Sequence, residues 1–293
     1  MLFGVTDLPE LPTLLDVLRQ RFPTASTTTL RQMLRHDRVR VNGAPERVAK
    51  RPVAAGERVE VVGKSERPLD PRVRILFEDQ DLVVVDKAAG LLTVPSPVVL
   101  HETAESFLNV YAGARPGEQR IHHVHRLDRD SSGVLVFAKG EYMRDRLQEL
   151  FAEHDVERVY VAIVHGKLRP PAGTLRSFLA EGADLRVRRV ADAKLGKEAV
   201  TRYRTTASGR ALSILELTLE TGRRHQIRVQ LADLGHPVVG DAMYGKGRGK
   251  EGQAEPLGRL ALHARSLAFV HPKTRRRVAF TADPPAAFRE LQL

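Results

Sequence analysis

The chain has 293 residues, 42% of them hydrophobic, which is enough for the core of one large domain or of two unequal ones. It contains no cysteine and no tryptophan, which excludes disulfides, thiolate zinc sites and cysteine nucleophiles and suits a reducing cytoplasm. A formal net charge of +11 points to a polyanionic partner such as nucleic acid, although charge alone leaves open a basic protein with a merely solvated surface.

Neither a signal peptide nor a membrane span is expected. The first residues, MLFGVTDLPELPTLL, lack the basic segment and the unbroken apolar segment of a secretory signal. The most apolar run, LVVVDKAAGLLTV, carries Asp86 and Lys87. The sequence therefore predicts a cytoplasmic protein.

Residues 11–62 have the pattern of a small unit with two helices and a few short strands. LLDVLRQRF and TTLRQMLRHD show helical spacing of apolar residues, and Thr27 or Thr28 could cap the second helix. VRVNGAPERV predicts a hairpin that turns at Asn42-Gly43, and RVEVV predicts one more strand.

Basic side chains are dense in the second half of this unit. Seven Lys/Arg and two acids lie between Leu30 and Arg51, which suits contact with phosphates; an ordinary charged helix face is the alternative. The order of helix, basic helix, VRVNG and GERVEV resembles the alpha-L RNA-binding motif shared with a small-subunit ribosomal protein. The resemblance implies RNA contacts from these residues: Arg31, Arg35, Arg38, Arg40, Lys50 and Arg51.

Gly63–Arg72 is polar, contains two prolines and has no periodicity, which predicts a linker. Beyond it the predicted strands are VRILFED, DLVVVDK, GVLVFAKG, RVYVAIVHG, EAVTRYRTTA and ALSILELTLETG, and the predicted helices are TAESFLNVYAG, EYMRDRLQELFAEH and RRHQIRVQLADLG. Strands in hairpin-like pairs with helices between them predict an α+β fold with a mostly antiparallel sheet. Gly245–Gly258 has the composition of a mobile surface loop.

Three interpretations compete for the stretch HHVHRLDRDSSGVLVFAK. The first is a calcium loop, because Asp128 and Asp130 occupy its first and third positions. However, Lys139 stands where such a loop needs a bidentate glutamate, and VLVFAK predicts a strand where a helix should follow. These two differences exclude a calcium loop.

The second interpretation is a transition-metal site formed by His122, His123, His125 and Asp128. Neighbouring side chains on an extended segment point to opposite faces, so these four cannot all bind one ion. Other histidines, such as His225, stand alone in the sequence and are more typical of structural hydrogen bonding. No metal is therefore expected.

The third interpretation rests on four segments that together resemble the RluA-type pseudouridine synthases. HRLDRDSSGVLVFAK carries the His-Arg-Leu-Asp signature of that family, and EDQDLVVVDKAAGLLTVPS is similar to its first motif. ERVYVAIVHG is similar to its tyrosine strand, and LETGRRHQIRVQLADLGHPVVGDAMYG to its third motif. These segments stand in the family's order over Val73–Leu293, and an upstream alpha-L motif is a common companion.

The resemblance implies a domain organisation and an activity. Residues 1–62 would form the alpha-L RNA-binding domain, 63–72 the linker and 73–293 an α+β pseudouridine synthase domain with a mostly antiparallel mixed sheet. The activity would be isomerisation of uridine to pseudouridine in structured RNA, with ribosomal RNA the first choice and transfer RNA the second. No cofactor and no metal would be needed, and the protein is expected to be a monomer.

The resemblance also assigns the site residues. Asp128 matches the catalytic carboxylate, and the target base must be flipped out of its stack to reach it. Arg126 matches an arginine that fills the vacated space, where a guanidinium can stack and bind phosphate. Tyr160 matches the tyrosine that lies against the base, although sequence alone allows a packing role equally well.

The chemistry agrees with this choice of residue types. Breaking the glycosidic bond leaves an electron-poor ribose that a carboxylate can stabilise or bond covalently. An ionised aspartate in a pocket needs a partner, and a helical wheel of RRHQIRVQLADLG places Arg228 at the edge of an apolar stripe. From there its guanidinium could pair with Asp128 in a bidentate way. A surface position is the usual fate of an arginine, and only the family resemblance favours Arg228 as a catalytic residue.

The chain departs from the family pattern at three positions. Ala88 follows Lys87 where proline is usual, Ser131 stands where threonine is commoner, and Gln230 stands where histidine is frequent. These changes bear on structure and RNA contact rather than on the carboxylate. Two rivals stay open: a non-catalytic RNA-binding or ribosome-assembly protein, and a metal-dependent nuclease that a chelator would inactivate.

Overall fold

A computed structural model describes the chain over residues 11–23, 25–35, 38–61, 69–113, 120–245 and 257–290. The chain divides into two compact units, Met1–Pro68 with Tyr111–Gly113 and Leu69–Val110 with Ala114–Leu293. Most of the predicted linker and most of the predicted 245–258 loop lie outside the described residues. Within the described ranges no helix is long and apolar enough to cross a bilayer.

The described part of the N-terminal unit contains two helices and a three-stranded sheet. Thr13 caps the first helix by accepting a hydrogen bond from the Asp16 N–H, and the Asp16 carboxylate accepts one from the Thr13 N–H. Ser26, one residue before the predicted threonine caps, caps the second helix by accepting from the Thr29 N–H. The elements are α1 (Leu14–Arg21), α2 (Thr27–Arg35), β1 (Val39–Val41), β2 (Ala44–Pro45) and β3 (Val59–Val61).

The predicted hairpin of this unit is confirmed. β1 pairs antiparallel with both β2 and β3. Asn42 (φ 55°) and Gly43 (φ 84°) both adopt the left-handed conformation that a tight two-residue hairpin turn requires. The helices pack on the sheet through a buried apolar core of Leu14, Leu15, Leu18, Leu30, Leu34, Val39, Val41 and Val53.

The second unit is mostly sheet. Its strands are β4 (Val73–Glu78), β5 (Leu82–Lys87), β6 (Ile121–His123), β7 (Ser132–Lys139), β8 (Val156–His165), β9 (Ala172–Glu181), β10 (Val187–Val190), β11 (Lys197–Ser208), β12 (Leu212–Leu219), β13 (Leu262–Val270) and β14 (Arg277–Thr281). Its helices are α3 (Ala104–Ala112), α4 (Glu141–Ala152), α5 (Gln226–Asp233) and α6 (Ala287–Glu290).

Within the described residues these strands form one eleven-stranded sheet. The order is β10-β9-β11-β12-β8-β13-β7-β5-β4, with β14 paired to β13 and β6 paired to β7. Every described pairing is antiparallel except that of β7 with β13. The predicted α+β class with a mostly antiparallel sheet is confirmed.

The parallel pair of β7 and β13 depends on Gly133. A Cβ at this position would stand 2.1 Å from the Ala264 carbonyl oxygen, and the backbone has φ 115°. Only glycine allows so close an approach at this φ. Gly133 therefore fixes the start of β7, five residues after Asp128.

A buried apolar cluster supports the same strand. Val134 and Val136 of β7 pack with Leu82 and Val84 of β5 and with Met143 of α4. All five side chains are at most 2% exposed. Burial of these residues on β7 anchors the loop that precedes it.

Several strands were not predicted. β9 has a burial pattern without a continuous apolar face, and β13 (LHARSLAFV) interrupts its apolar residues with His263, Arg265 and Ser266. Strand propensity depends on burial and on cross-strand neighbours, which a local pattern does not show. β6, β10 and β14 are three to five residues long and escaped prediction because such short segments carry little periodicity.

Candidate active site

Asp128 lies in the loop between β6 and β7, at a cleft of about 760 Å³. The preceding residue, Leu127, is held on both sides by Thr93: the Leu127 N–H donates to the Thr93 hydroxyl oxygen (3.1 Å), and that hydroxyl donates to the Leu127 carbonyl (3.0 Å). The Asp128 side chain is 22% exposed, so its carboxylate is open to the cleft. The loop thus presents one anchored carboxylate to a ligand.

Lys87, at the end of β5, fastens the other side of this loop. Its side chain is completely buried, and burial lowers its pKa to about 7 against the opposing charge of Asp128. The Nζ atom lies within hydrogen-bond distance, 2.7–3.2 Å, of the carbonyl oxygens of Ala88, Leu91, Arg129 and Ser131, which share its protons. Two of these carbonyls belong to the Asp128 loop, so Lys87 joins that loop to β5.

Arg228, on α5, links Asp128 to a second carboxylate. Its Nη1 donates to Asp128 Oδ2 (3.0 Å), while Nε and Nη2 donate to the two oxygens of Asp241 (2.7 and 2.9 Å). The predicted Arg228–Asp128 contact is present, but the bidentate partner is Asp241. Burial alone would lower the pKa of Arg228, yet the hydrogen bonds and charges of Asp241 and Asp128 outweigh it and raise that pKa.

Both carboxylate oxygens of Asp241 accept hydrogen bonds. Its side chain is inaccessible to solvent, and one of its oxygens also accepts from the N–H groups of Met243 and Tyr244, both at 3.0 Å. Burial acts to raise the pKa of Asp241, but the bonds and charge of Arg228 keep it below its ordinary value. A buried ionised carboxylate thus orients the guanidinium that contacts Asp128.

α5 is buried more completely than the apolar stripe of its helical wheel predicts. Every residue from Gln226 to Leu231 is buried, whereas Leu234, just after the helix, is 44% exposed. Gln230 points into the sheet, where its amide donates to the Ala199 carbonyl and its oxygen accepts from the Thr201 hydroxyl. Arg228 is therefore buried because its whole segment of α5 is buried, and it stays charged because Asp128 and Asp241 face it.

His225 approaches the second oxygen of Asp128. Its Nε2 lies 3.8 Å from Asp128 Oδ1, and its Nδ1 lies 2.8 Å from the Tyr244 hydroxyl. The Val187 N–H donates to that hydroxyl, and the hydroxyl can in turn donate its proton to Nδ1 when the ring proton of His225 is on Nε2. Burial lowers the pKa of His225 although Asp128 opposes it, so the ring is neutral near pH 7.

The backbone of His225 is also unusual. The residue precedes α5 with φ 54°, a left-handed conformation that is uncommon outside glycine and asparagine. Such strain concentrates at functional sites. The residue with this conformation is also the one whose imidazole faces Asp128.

Tyr160 lies on β8 and lines the same cleft. Its side chain is buried, and this burial, strengthened by Asp128 and opposed by Arg158, raises its pKa to about 12. Its hydroxyl has no hydrogen-bond partner among the described residues. The tyrosine therefore offers the cleft a protonated phenol.

The structure brings Asp128, Tyr160, Arg228 and Arg126 together around one cleft. Arg126 is exposed and makes no ion pair with any described residue. An exposed guanidinium two residues from the carboxylate is free to contact a ligand.

The histidines of HHVHRLDRDSSGVLVFAK do not converge. The His125 ring stacks on Phe151 at 4.4 Å, and its Nε2 accepts from the Val136 N–H. Burial lowers the pKa of His125 to about 3, so it is a neutral structural residue. His123 turns instead to Glu105, with Nδ1 3.2 Å from the carboxylate.

One group with metal-ligand geometry occurs among the described residues, formed by Asp79, Asp81 and His271. It is not part of the cleft. Backbone N–H groups of Lys273 and Thr274 donate to His271 Nδ1, which leaves the ring proton on Nε2, and the Lys273 ammonium contacts Asp81 at 3.0 Å. The His271 N–H and the Lys273 ammonium therefore face the two carboxylates of this cluster.

The other predicted RNA-contacting residues belong to the N-terminal unit. Arg31 and Lys50 are exposed, whereas Arg51 is held by Glu57 (2.6 Å) and Glu46 (3.2 Å). Arg38 and Arg40 are partly buried, and the side chain of Arg35 lies outside the described residues. Arg51 thus has a structural role within its own unit.

Sequence reasoning missed Asp241, His225 and the role of Lys87. Asp241 stands in GDAMYG and His225 in GRRHQIR, both within the segment similar to the third motif. A carboxylate in that segment was the available signal for a partner to Arg228. Nothing in the local pattern indicates that Lys87 is buried, since lysine is almost never fully buried.

The matching family model is RNA pseudouridylate synthase, over residues 81–233. The RNA pseudouridine synthase YhcT of Bacillus subtilis is 35% identical over 275 residues, covering 91% of this chain and 88% of that protein. Ribosomal large subunit pseudouridine synthase D of Escherichia coli is 33% identical over 270 residues, covering 88% and 82%.

A solved structure is similar as well. Human RNA pseudouridylate synthase domain containing 4 superposes with a TM-score of 0.61 at 27% identity, covering 74% of this chain and 90% of that chain. The similar region is longer than any single motif of this chain.

Proposed function

This chain belongs to the RNA pseudouridine synthase family, and we propose that it isomerises uridine in large-subunit ribosomal RNA with Asp128 as the catalytic carboxylate. The observation that carries the proposal is the geometry of Asp128: an anchored, ionisable carboxylate at a cleft, with one oxygen bound by buried Arg228. The choice of ribosomal RNA is supported by relatives that are named for the large subunit.

The reaction requires a negative group beside the ribose. The bond from C1′ to N1 breaks, the uracil rotates, and a bond from C1′ to C5 forms; C5 loses a proton and N1 gains one. Positive charge develops on the ribose while the base is detached, and a carboxylate oxygen next to C1′ stabilises it or bonds to it. Asp128 has one oxygen held by Arg228 and the other free for the sugar.

Tyr160 and Arg126 would bind and position the nucleotide rather than act on the glycosidic bond. A buried phenol that keeps its proton suits stacking on uracil and hydrogen bonding to it, not the role of a resting base. The exposed Arg126 guanidinium, two residues before Asp128, suits insertion into the space left by a flipped base.

The N-terminal unit would supply affinity for folded RNA, as the alpha-L resemblance implies. Its exposed Arg31 and Lys50 can reach phosphates, whereas Arg51 stays bound to glutamates. One chain provides every residue of the cleft, so a monomer suffices. The absence of cysteine suits work in the cytoplasm without disulfides.

Mapping pseudouridines in ribosomal and transfer RNA, from cells with and without the gene, tests this proposal. We expect at least one large-subunit site to disappear on deletion, to return with the parent gene and to stay absent with an Asp128→Asn gene. Loss of a transfer RNA site alone would overturn the choice of substrate. An unchanged map would overturn the assigned activity in these RNAs.

A further inference from the structure

Arg158 is a buried cation at the cleft that no described carboxylate neutralises. It lies on β8 two residues before Tyr160, lines the same cleft and is 7% exposed. Its Nη2 donates to the Glu220 carbonyl at 3.3 Å, and its guanidinium lies 5.7 Å from the Phe151 ring. Its Nε is buried without a hydrogen-bond partner.

Two other arginines at the cleft differ from it in this respect. Arg228 has two carboxylate partners, and Arg224 pairs with Glu181. Burying a charge without a partner is unfavourable, and burial accordingly lowers the pKa of Arg158. A site that retains such a cation is suited to an anion that arrives with a ligand.

The surroundings of Arg158 are shaped to hold its guanidinium. A Cβ on Gly222 would lie 2.5 Å from Nη1, so the side-chain-free residue leaves room for the group. The Phe151 ring and the Glu220 carbonyl fix the plane from two other sides. Nη1 has no hydrogen-bond partner among the described residues and is therefore available to a ligand.

We propose that Arg158 binds the backbone phosphate of a nucleotide next to the flipped uridine. The inference rests on the proposed function, in which uracil lies against Tyr160. Alternate residues on a strand face the same way about 7 Å apart, roughly the spacing between a base and a neighbouring phosphodiester. A phosphate offers a full negative charge, whereas the uracil carbonyls are neutral and would leave the cation uncompensated.

The test combines protein variants with phosphate neutralisation in the RNA. The probe is a stem-loop that spans the mapped uridine, prepared with single methylphosphonates at each position flanking it. Steady-state tritium release gives kcat and KM for the parent, for Arg158→Met and for Arg204→Met, an exposed arginine paired with Glu216 that loses the same charge.

We expect Arg158→Met to raise KM about 10-fold or more while kcat stays within about 3-fold, because the contact is made before and during reaction alike. One methylphosphonate should raise the parent's KM by a similar factor and have no further effect on Arg158→Met. Arg204→Met should behave as the parent at every position.

A second variant, Gly222→Ala, keeps the charge of Arg158 but crowds its guanidinium. The KM of this variant should no longer respond to the methylphosphonate that raises the parent's KM. If the methylphosphonate and Arg158→Met each raised KM independently at every position, so that their factors multiplied, the inference would be wrong. This outcome leaves the proposed function intact, because the parent still modifies the RNA. A parent that is insensitive to all single methylphosphonates would overturn it too. Failure of the parent to modify both the stem-loop and intact large-subunit RNA would overturn the proposed function along with it.

Discussion

At the scale of single residues, the two oxygens of Asp128 have different neighbours. Oδ2 accepts a hydrogen bond from Arg228, whereas Oδ1 faces the neutral His225 ring at 3.8 Å. An oxygen bound to a guanidinium is a weaker nucleophile than one that is not. The geometry therefore favours Oδ1 as the oxygen that meets the ribose.

Replacing Arg228 with Met should reduce kcat by about 100-fold or more, because Asp128 and Asp241 would then face each other without the cation between them. Arg277→Met, an exposed arginine paired with Glu157, is the matched control and should keep the parent's kcat. Steady-state tritium release at saturating RNA measures both values of kcat. A kcat within about 3-fold of the parent for Arg228→Met would show that the contact is dispensable.

The sequence allowed the prediction of Asp128, Tyr160 and Arg228 through a family resemblance, and the structure places all three at one cleft. It did not indicate Asp241 or His225, because their roles depend on a loop and a helix start that meet only in the fold. The helical wheel placed Arg228 at the edge of an apolar stripe, whereas in the structure Arg228 is buried. α5 is buried on all sides, so its periodicity carries little directional information.

At the scale of elements, the loop that carries Asp128 is held by a buried ammonium group. Lys87 connects the end of β5 to the carbonyls of Arg129 and Ser131, and Gly133 fixes the start of β7 against β13. The loop is thus restrained on both sides of the carboxylate. Such restraint maintains the alignment that catalysis needs.

Lys87 should also give the protein a characteristic dependence of stability on pH. Its pKa is about 7 in the folded state against 10.5 for an unperturbed lysine, so between these values the unfolded state binds more protons. The free energy of unfolding should then rise with pH over this window and should lose that gain as pH falls toward 7. The rise between pH 7 and pH 9 should be about 2 kcal/mol larger in the parent than in Lys87→Met.

Urea denaturation at the two pH values measures this difference. Lys273→Met, which removes an exposed lysine paired with Asp81, should keep the parent's slope. Equal slopes in the parent and Lys87→Met would mean that Lys87 keeps its proton in the folded protein throughout this range.

Elements with strong local patterns were predicted well and those without were not. β5 (LVVVDK) and β8 (VERVYVAIVH) have apolar runs or alternation, whereas β9 has a single buried residue and β13 has polar residues among its apolar ones, including the buried His263. In β13, His263 is buried because it exchanges hydrogen bonds with Ser132 and the Ala282 carbonyl. Those partners lie far away in sequence, so no local pattern could reveal them.

At the scale of the whole molecule, both units carry exposed positive charge, and the proposed function gives the two units different tasks. The N-terminal unit presents exposed Arg31 and Lys50, while the cleft belongs entirely to the second unit. Phosphate contacts supply affinity that depends on salt, whereas the cleft supplies the chemistry. The two properties should be separable by mutation in the full chain.

Replacing both Arg31 and Lys50 with Gln should weaken binding to large-subunit RNA. It should also make the negative slope of log K against log salt shallower by about 1.8, since each lost phosphate contact removes about 0.9. Turnover at saturating RNA should not change. Filter binding at several salt concentrations measures the slope, with Arg204→Gln plus Arg277→Gln as a control of equal charge. Identical slopes for the two double variants would mean that Arg31 and Lys50 of the N-terminal unit do not contact RNA phosphates.

The most direct measurement is tritium release from ribosomal RNA labelled at C5 of uridine, with the parent and Asp128→Asn compared at equal RNA occupancy. The parent should release tritium at its target site, because C5 loses its hydrogen when it bonds to C1′. Asp128→Asn should bind RNA within about 3-fold of the parent, since affinity comes mainly from basic side chains, and should release no tritium above background. Turnover by the Asn variant at a rate near that of the parent would contradict the assignment of Asp128 as the catalytic carboxylate.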